Sequence, residues 1–351
     1  MARKGELTVR LIYNVTCAVL CVSAGLLLYS AVLCMHLLRK GAKLCAAVCT
    51  SLLPVLFSLA AGRMGYLLLQ PDGSSALFRW CFTAGLAGLA AGTALAAGIC
   101  GPGPLKLLDR MSPWLCIAMA LARFSQRWMS ETGVGIGLEE YPFLNRFPLA
   151  VCDDWGEPLL AVFVLESVWA AVAAVLCAFS SRKITRTPYA GNDGLTLFPG
   201  AVFSRAVFLL LLPQLVFEQL REGHFLHWRM VRLEQVLIAV LALIVSVLLC
   251  SAYAKQERRS FALVWWPPAV MLLSSVMITL LQFVMDGKLI ELPAFLILSL
   301  YLLSVSAMLF AGLSAARRLG YKTDDRKRQE PVPAACSPQM RKGSQTGWRQ
   351  S

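Results

Sequence analysis

Nine runs of mainly apolar residues, at about 11–38, 42–62, 77–100, 107–122, 158–179, 199–217, 233–253, 261–284 and 290–314, leave this chain few ways to fold. Most of them approach or exceed the roughly 20 residues that an α-helix needs to cross the hydrocarbon core of a bilayer. Within that core only a helix satisfies every backbone N–H and C=O inside its own segment. The runs therefore predict an all-α fold, a polytopic transmembrane helical bundle of about nine helices, with 107–122 the shortest. Composition points the same way, because a chain with 58% hydrophobic and 15% charged residues cannot cover itself with polar surface in water. The first run is longer than a signal-peptide core and no Ala-x-Ala-like site closes it, so it is expected to be retained.

A formal net charge of +13 raises the question of a nucleic-acid partner, and the placement of the charge answers it. With the N-terminus outside, the inner segments hold Arg39, Lys40, Lys43, Lys106, Arg110, Arg182, Lys183, Arg186, Lys255, Arg258, Arg259 and the basic tail from Arg317. The outer segments hold Glu131, Glu139, Glu140, Asp153, Asp154, Glu157, Glu222 and Asp286. That is the positive-inside pattern, and it predicts an N-out, C-in topology with an odd number of crossings and no nucleic-acid role. Most of the 12 cysteines fall within apolar runs without metal-ligand spacing, so they read as small hydrophobes and no metal site is expected.

Beyond the helices, residues 315–351 are rich in charge, Pro, Ser and Gln and are expected to form a disordered cytoplasmic tail. The outer segment 123–157, with Gly133, Gly135 and Gly137, is too long for a simple connection, and long connections often carry function. The segment 218–232 similarly gathers charged and aromatic residues at a helix boundary, with Trp228 placed as an interface anchor. No 20–50-residue repeat supports a solenoid or an inverted-repeat transporter.

Polar residues at membrane depth are costly unless paired, so they mark the candidate site. Arg63 and Tyr66 share a face where the second helix ends, beside Gly62 and Gly65, which permit close helix approach. Taken alone they also fit an arginine snorkelling beside an aromatic belt residue. Arg123 lies fourteen residues after Asp109, about 21 Å along a helix axis, which puts Asp109 at the inner end and Arg123 at the outer. Arg123, Gln126, Arg127 and Glu131 then form either a grip for a phosphate or a solvated helix terminus. Gln214, Glu218 and Arg221 recur at i, i+4 and i+7 on one face, where a structural Glu218–Arg221 pair is the simpler reading. Glu166 is a lone carboxylate about one turn into an apolar helix, expected to pair with an arginine or to stay protonated.

In their order these blocks resemble the phosphatidylglycerol:prolipoprotein diacylglyceryl transferase family over roughly residues 10–253. Ala61-Gly62-Arg63-Met64-Gly65-Tyr66 is similar to that family's Gly-Gly-Arg-Ile-Gly-Tyr block, and the spacing of Asp109, Pro113 and Arg123 matches the approach to its Gly-Arg-x-Gly-Asn-Phe signature. Glu131 corresponds to the signature's Glu, and Arg146-Phe147-Pro148-Leu149-Ala150 resembles its Asn-Phe-Pro-Phe-Ala. Glu166 matches the Glu of the His-Pro-x-Gln-Leu-Tyr-Glu block, and Gln214, Glu218 and Arg221 fit Arg-x-x-x-Glu-x-x-Arg. The chain departs from the family where Thr83 stands in place of a proposed catalytic His, Gln126 in place of Asn and Gln214 in place of Arg. Leu160, Ala161 and Phe163 replace the polar residues before Glu166, and helices 261–314 are extra.

The resemblance implies a seven-helix core over 1–253, two added helices over 254–314, and a bacterial cytoplasmic membrane location. It also implies transfer of a diacylglyceryl group from phosphatidylglycerol to the lipobox cysteine of a prolipoprotein, without a cofactor. In that chemistry a thiolate attacks the diacylglyceryl carbon and expels glycerol phosphate, which requires loss of the thiol proton and cations fixed around the phosphate. Arg123, Glu131 and Glu218 are expected to act in catalysis, and Arg63, Tyr66, Gln126, Glu166, Gln214 and Arg221 to bind the phospholipid. Two other readings stand beside it: a non-catalytic relative that binds anionic lipid or a lipoprotein partner, and a transporter or channel with discontinuities such as Pro267-Pro268.

Overall fold

The computed structural model describes residues 2–69, 80–101, 103–128, 133–139, 143, 146–152, 156–186, 195–196, 199–221, 227–228, 231–256, 261–285, 294–319 and 322–323. Among these, ten α-helices follow one another: α1 (Ala2–Arg39), α2 (Leu44–Leu69), α3 (Phe82–Cys100), α4 (Pro104–Phe124), α5 (Val162–Arg186), α6 (Ala201–Leu211), α7 (Gln214–Leu220), α8 (Leu233–Gln256), α9 (Phe261–Met285) and α10 (Ala294–Leu319). α6 and α7 are two halves of one expected crossing, so the bundle has the nine rods that the hydropathy pattern predicts.

Proline chemistry explains the break between those halves. Pro213 has no N–H to donate to the carbonyl of Leu209, four residues earlier. The indole of Trp169 on α5 donates to that freed oxygen instead, Nε1 to O at 2.6 Å. The carbonyl of Leu215, just beyond the break, accepts from the hydroxyl of Tyr301 on α10 at 2.7 Å and from Nε2 of Gln235 on α8 at 3.1 Å. Gln282 on α9 in turn donates to Gln235. α8, α9 and α10 thus brace the short helix that carries Glu218.

Eight elements are long and apolar enough to cross a membrane. Their outer faces carry large apolar side chains such as Leu273, Leu303 and Phe310, each about two-thirds or more exposed, a surface that lipid accepts and water does not. α4 is not among the eight, because Lys106, Asp109, Arg110 and Arg123 interrupt its hydropathy. It packs against α1, α3, α5 and α6, and residues such as Met111, Leu115 and Cys116 are buried. Protein replaces lipid around it. Asp109 caps α6 from a distance, its two carboxylate oxygens accepting the backbone N–H groups of Gly200 at 2.7 Å and Phe203 at 2.8 Å.

α2 and α3 form the closest pair, and small residues make this contact. A Cβ on Gly65 would stand 2.6 Å from Cβ of Ala84, and one on Gly92 would stand 2.6 Å from Cα of Pro54. The Gly62–Tyr66 block therefore lies inside α2 rather than at its end, since the helix continues through Leu69. None of the described cysteines forms a disulfide.

The described part of the outer segment lies against the helix ends. Ala150–Cys152 pairs antiparallel with Pro158–Leu160. Residues 133–138 run alongside, with Gly135 N–H donating to Leu160 O at 2.7 Å and Ile136 N–H to Leu220 O at 3.1 Å. Only a glycine lets the backbone approach so closely, because a Cβ on Gly135 would meet Val162 at 2.7 Å.

Candidate functional site

Five charged side chains from four helices and one helix end meet in the interior: Arg123 at the end of α4, Glu166 in α5, Glu218 in α7, Arg221 just past α7, and Glu234 in the first turn of α8. All are buried, Arg123 and Glu166 completely. The local sequence favours two of these placements, since a helix C-terminus stabilises the cation Arg123 and a helix N-terminus the anion Glu234.

Arg221 is the hub. Its Nη2 donates to both oxygens of Glu166, at 2.7 and 2.6 Å, and to Oε1 of Gln126 at 3.2 Å. Its Nη1 stands 2.9 Å from Oε1 of Glu218. The backbone at Arg221 is extended (φ −77°, ψ 134°), so this residue has left the helix that carries Gln214 and Glu218. The single face expected for the three residues therefore ends at Glu218, and Arg221 turns inward from the helix end. The Glu218–Arg221 pair exists as one contact within a larger cluster.

Arg123 is held differently. Nε lies 3.6 Å from Oε2 of Glu166 and Nη2 lies 3.7 Å from Oε1 of Glu234, both too long for hydrogen bonds. None of its three nitrogens has a hydrogen-bond partner among the described residues. The guanidinium lies over the ring of Phe82, 4.4 Å from its centre. A fully enclosed guanidinium without hydrogen bonds is costly, and this rules out the solvated-terminus reading of Arg123.

Thr83 donates from Oγ1 to Oε1 of Glu234 at 2.9 Å, so Thr83 belongs to the cluster. Glu234 was not among the expected site residues. Its signal lay in the sequence as an acid in the first turn of an otherwise apolar run, which reads equally well as an ordinary helix-start carboxylate. Arg232, half-buried, donates to the carbonyl of Arg221 and brings a third guanidinium to the edge of three carboxylates.

The remaining expected residues divide. Gln126 and Gln214 are buried, and Gln214 Oε1 has no hydrogen-bond partner among the described residues. Arg127 is exposed, with its guanidinium 5.1 Å from the ring centre of Phe147. Arg63 lies 5.4 Å from the ring centre of Tyr66, and buried Tyr66 packs with Cys81. Glu131 lies outside the described residues.

A small apolar cleft of about 70 Å³ lies between α1, α2, α3 and α4, lined among others by Leu26, Leu59, Phe82, Leu86 and Met119. Cys81 and Phe82 line this cleft and also neighbour the ion cluster, Phe82 beneath Arg123 and Cys81 within electrostatic reach of Glu234 and Arg123. The arrangement sets a cation without hydrogen bonds among the described residues against a ring that lines an apolar cleft.

The bundle and its interior cluster define a multi-pass helical membrane protein with a buried ion-pair site. No protein-family model, curated protein or solved structure matches this chain.

Proposed function

We propose that this chain is a divergent diacylglyceryl transferase of a bacterial cytoplasmic membrane, with phosphatidylglycerol as donor and a lipobox cysteine as acceptor. One observation carries the reading: Arg123 is enclosed, has no hydrogen bond among the described residues, and is stacked on a ring that lines an apolar cleft. An amphiphile with a phosphate beside its acyl chains suits that pairing, because a guanidinium donates to phosphate oxygens in a fixed fork. In the reaction the acceptor sulfur bonds to the glyceryl carbon while the bond from that carbon to the phosphate oxygen breaks, and Arg123 receives the developing charge on the leaving glycerol phosphate. Further support comes from Gln126, Glu166, Glu218 and Arg221, which resemble family positions separated by up to 95 residues and meet at one point.

A second reading, a lipid-binding relative without turnover, draws on Thr83. A hydroxyl that donates to Glu234 supplies no base at the position where the family has His.

The test is to reconstitute the purified protein with phosphatidylglycerol and a synthetic lipobox peptide and to look by mass spectrometry for a diacylglyceryl adduct on the cysteine. The expected result is an adduct that disappears in Arg123→Ala. Lipid binding with no adduct, beside an active control enzyme, supports the second reading instead.

A further inference from the structure

We infer that Glu234 is the proton acceptor of this site and takes the place of the base that Thr83 cannot supply. The inference rests on the transferase reading above and assigns it a residue that the family blocks do not contain.

The three buried carboxylates are not equivalent. Glu166 gives both of its oxygens to Arg221, at 2.7 and 2.6 Å. Glu218 stands 2.9 Å from the same guanidinium. Both are close counter-ions of Arg221, although Oε1 of Glu218 makes no hydrogen bond among the described residues, whereas the cation nearest Glu234, Nη2 of Arg123, stands 3.7 Å from its Oε1. Glu234 accepts the Thr83 hydroxyl at Oε1, and its Oε2, buried in a residue only 2% exposed, has no hydrogen-bond partner among the described residues. A buried carboxylate oxygen without a donor is expensive, and one that neighbours a reacting group is placed to receive a proton.

The position of Glu234 fits that task. It meets α3 at Thr83, and Nη2 of Arg123 is 3.7 Å from its Oε1. The cation and the proton acceptor thus stand side by side, and Phe82 beneath Arg123 lines the cleft. Thr83 holds one oxygen and leaves the other free, which orients the carboxylate without neutralising it.

The step balances as follows. The acceptor's S–H proton passes to Oε2 of Glu234, the sulfur lone pair forms the S–C bond to the glyceryl carbon, and the C–O bond to phosphate breaks with its electrons on the departing glycerol phosphate. That product takes the proton from Glu234 as it leaves, which restores the carboxylate.

The test uses the full-length protein in phosphatidylglycerol vesicles with the lipobox peptide. Glu234→Gln keeps the size and the Oε1 acceptor for Thr83 but cannot take the proton. It is expected to lower the turnover rate about 100-fold or more, with KM for phosphatidylglycerol within about threefold of wild type. Adding Thr83→His to Glu234→Gln is expected to restore at least about one-tenth of the rate, because an imidazole then stands where the carboxylate was relieved. Unchanged turnover in Glu234→Gln overturns the role of Glu234 and leaves the transferase reading intact. If Glu234→Gln fails to fold, Glu234→Asp decides, since it keeps the charge and the Thr83 partner: a shifted pH profile of turnover supports the assignment, and an unchanged rate and profile overturn it. No adduct from the wild-type protein overturns the transferase reading, and the role of Glu234 falls with it.

Discussion

Arg221 donates from a single nitrogen to both oxygens of Glu166, a residue 55 positions earlier in the chain. α5 and the end of α7 are tied at this point, and the tie is buried. A buried pair is weak evidence of net stability, because desolvation offsets its attraction, but removing one member leaves an uncompensated charge.

Glu166→Ala is therefore expected to destabilise the protein by about 3–5 kcal/mol, read as a lower unfolding midpoint in detergent. Glu166→Gln combined with Arg221→Gln should cost less than the sum of the two single changes, because each single change leaves the other member of this pair charged without its partner and the double change does not. Additive losses would show that the pair acts independently at its two ends.

Arg123 makes no hydrogen bond, so its loss should affect ligand more than fold. Arg123→Ala is expected to weaken binding of phosphatidylglycerol at least tenfold, about 1.4 kcal/mol, with a smaller change in unfolding midpoint than Glu166→Ala. Arg123→Lys should recover little, since an ammonium offers no fork. Equal lipid binding by wild type and Arg123→Ala would remove the head-group role.

The contact between α2 and α3 leaves no room for a side chain at Gly92, where the nearest atom is backbone of Pro54. Gly92→Val is expected to cost about 1–3 kcal/mol through overpacking. Gly98, with nothing near it, should accept Ala without loss. Comparing midpoints of the two variants checks the close approach itself.

Tyr301 reaches Leu215 from the last helix. Tyr301→Phe removes that hydroxyl and should cost about 1 kcal/mol. It should also slow transfer if the brace matters for where Glu218 and Arg221 stand. A slower reaction at an unchanged midpoint would separate positioning from stability.

The charge asymmetry predicts that the C-terminus faces the cytoplasm. A fluorescent protein that matures only in that compartment, fused after Ser351, is expected to glow. A periplasmic phosphatase fused at the same point should be inactive. The opposite pair of results would invert the topology.

Much of the architecture was legible in the chain because hydropathy alone decides which segments leave water. The expected spans 233–253 and 261–284 begin at the same residues as α8 and α9, and the run 199–217 matches the combined reach of α6 and α7. The break at Pro213 was readable only as a proline; that Trp169, 44 positions earlier, would satisfy the carbonyl left free depends on how α5 lies against α6. The site followed the same division. Arg123, Glu166, Glu218 and Arg221 stood out because charge at membrane depth is rare. Glu234 did not, because an acid at a helix start is ordinary until a neighbour gives it a partner. The sequence by itself determined that this chain is a helical bundle in lipid, since apolar length and backbone hydrogen bonding admit little else. Only the tertiary structure decided that Arg123 is enclosed rather than solvated, that Arg221 leaves its helix to reach Glu166, and that Thr83 meets Glu234. Those facts arise from contacts between residues distant in the chain, which no local pattern encodes.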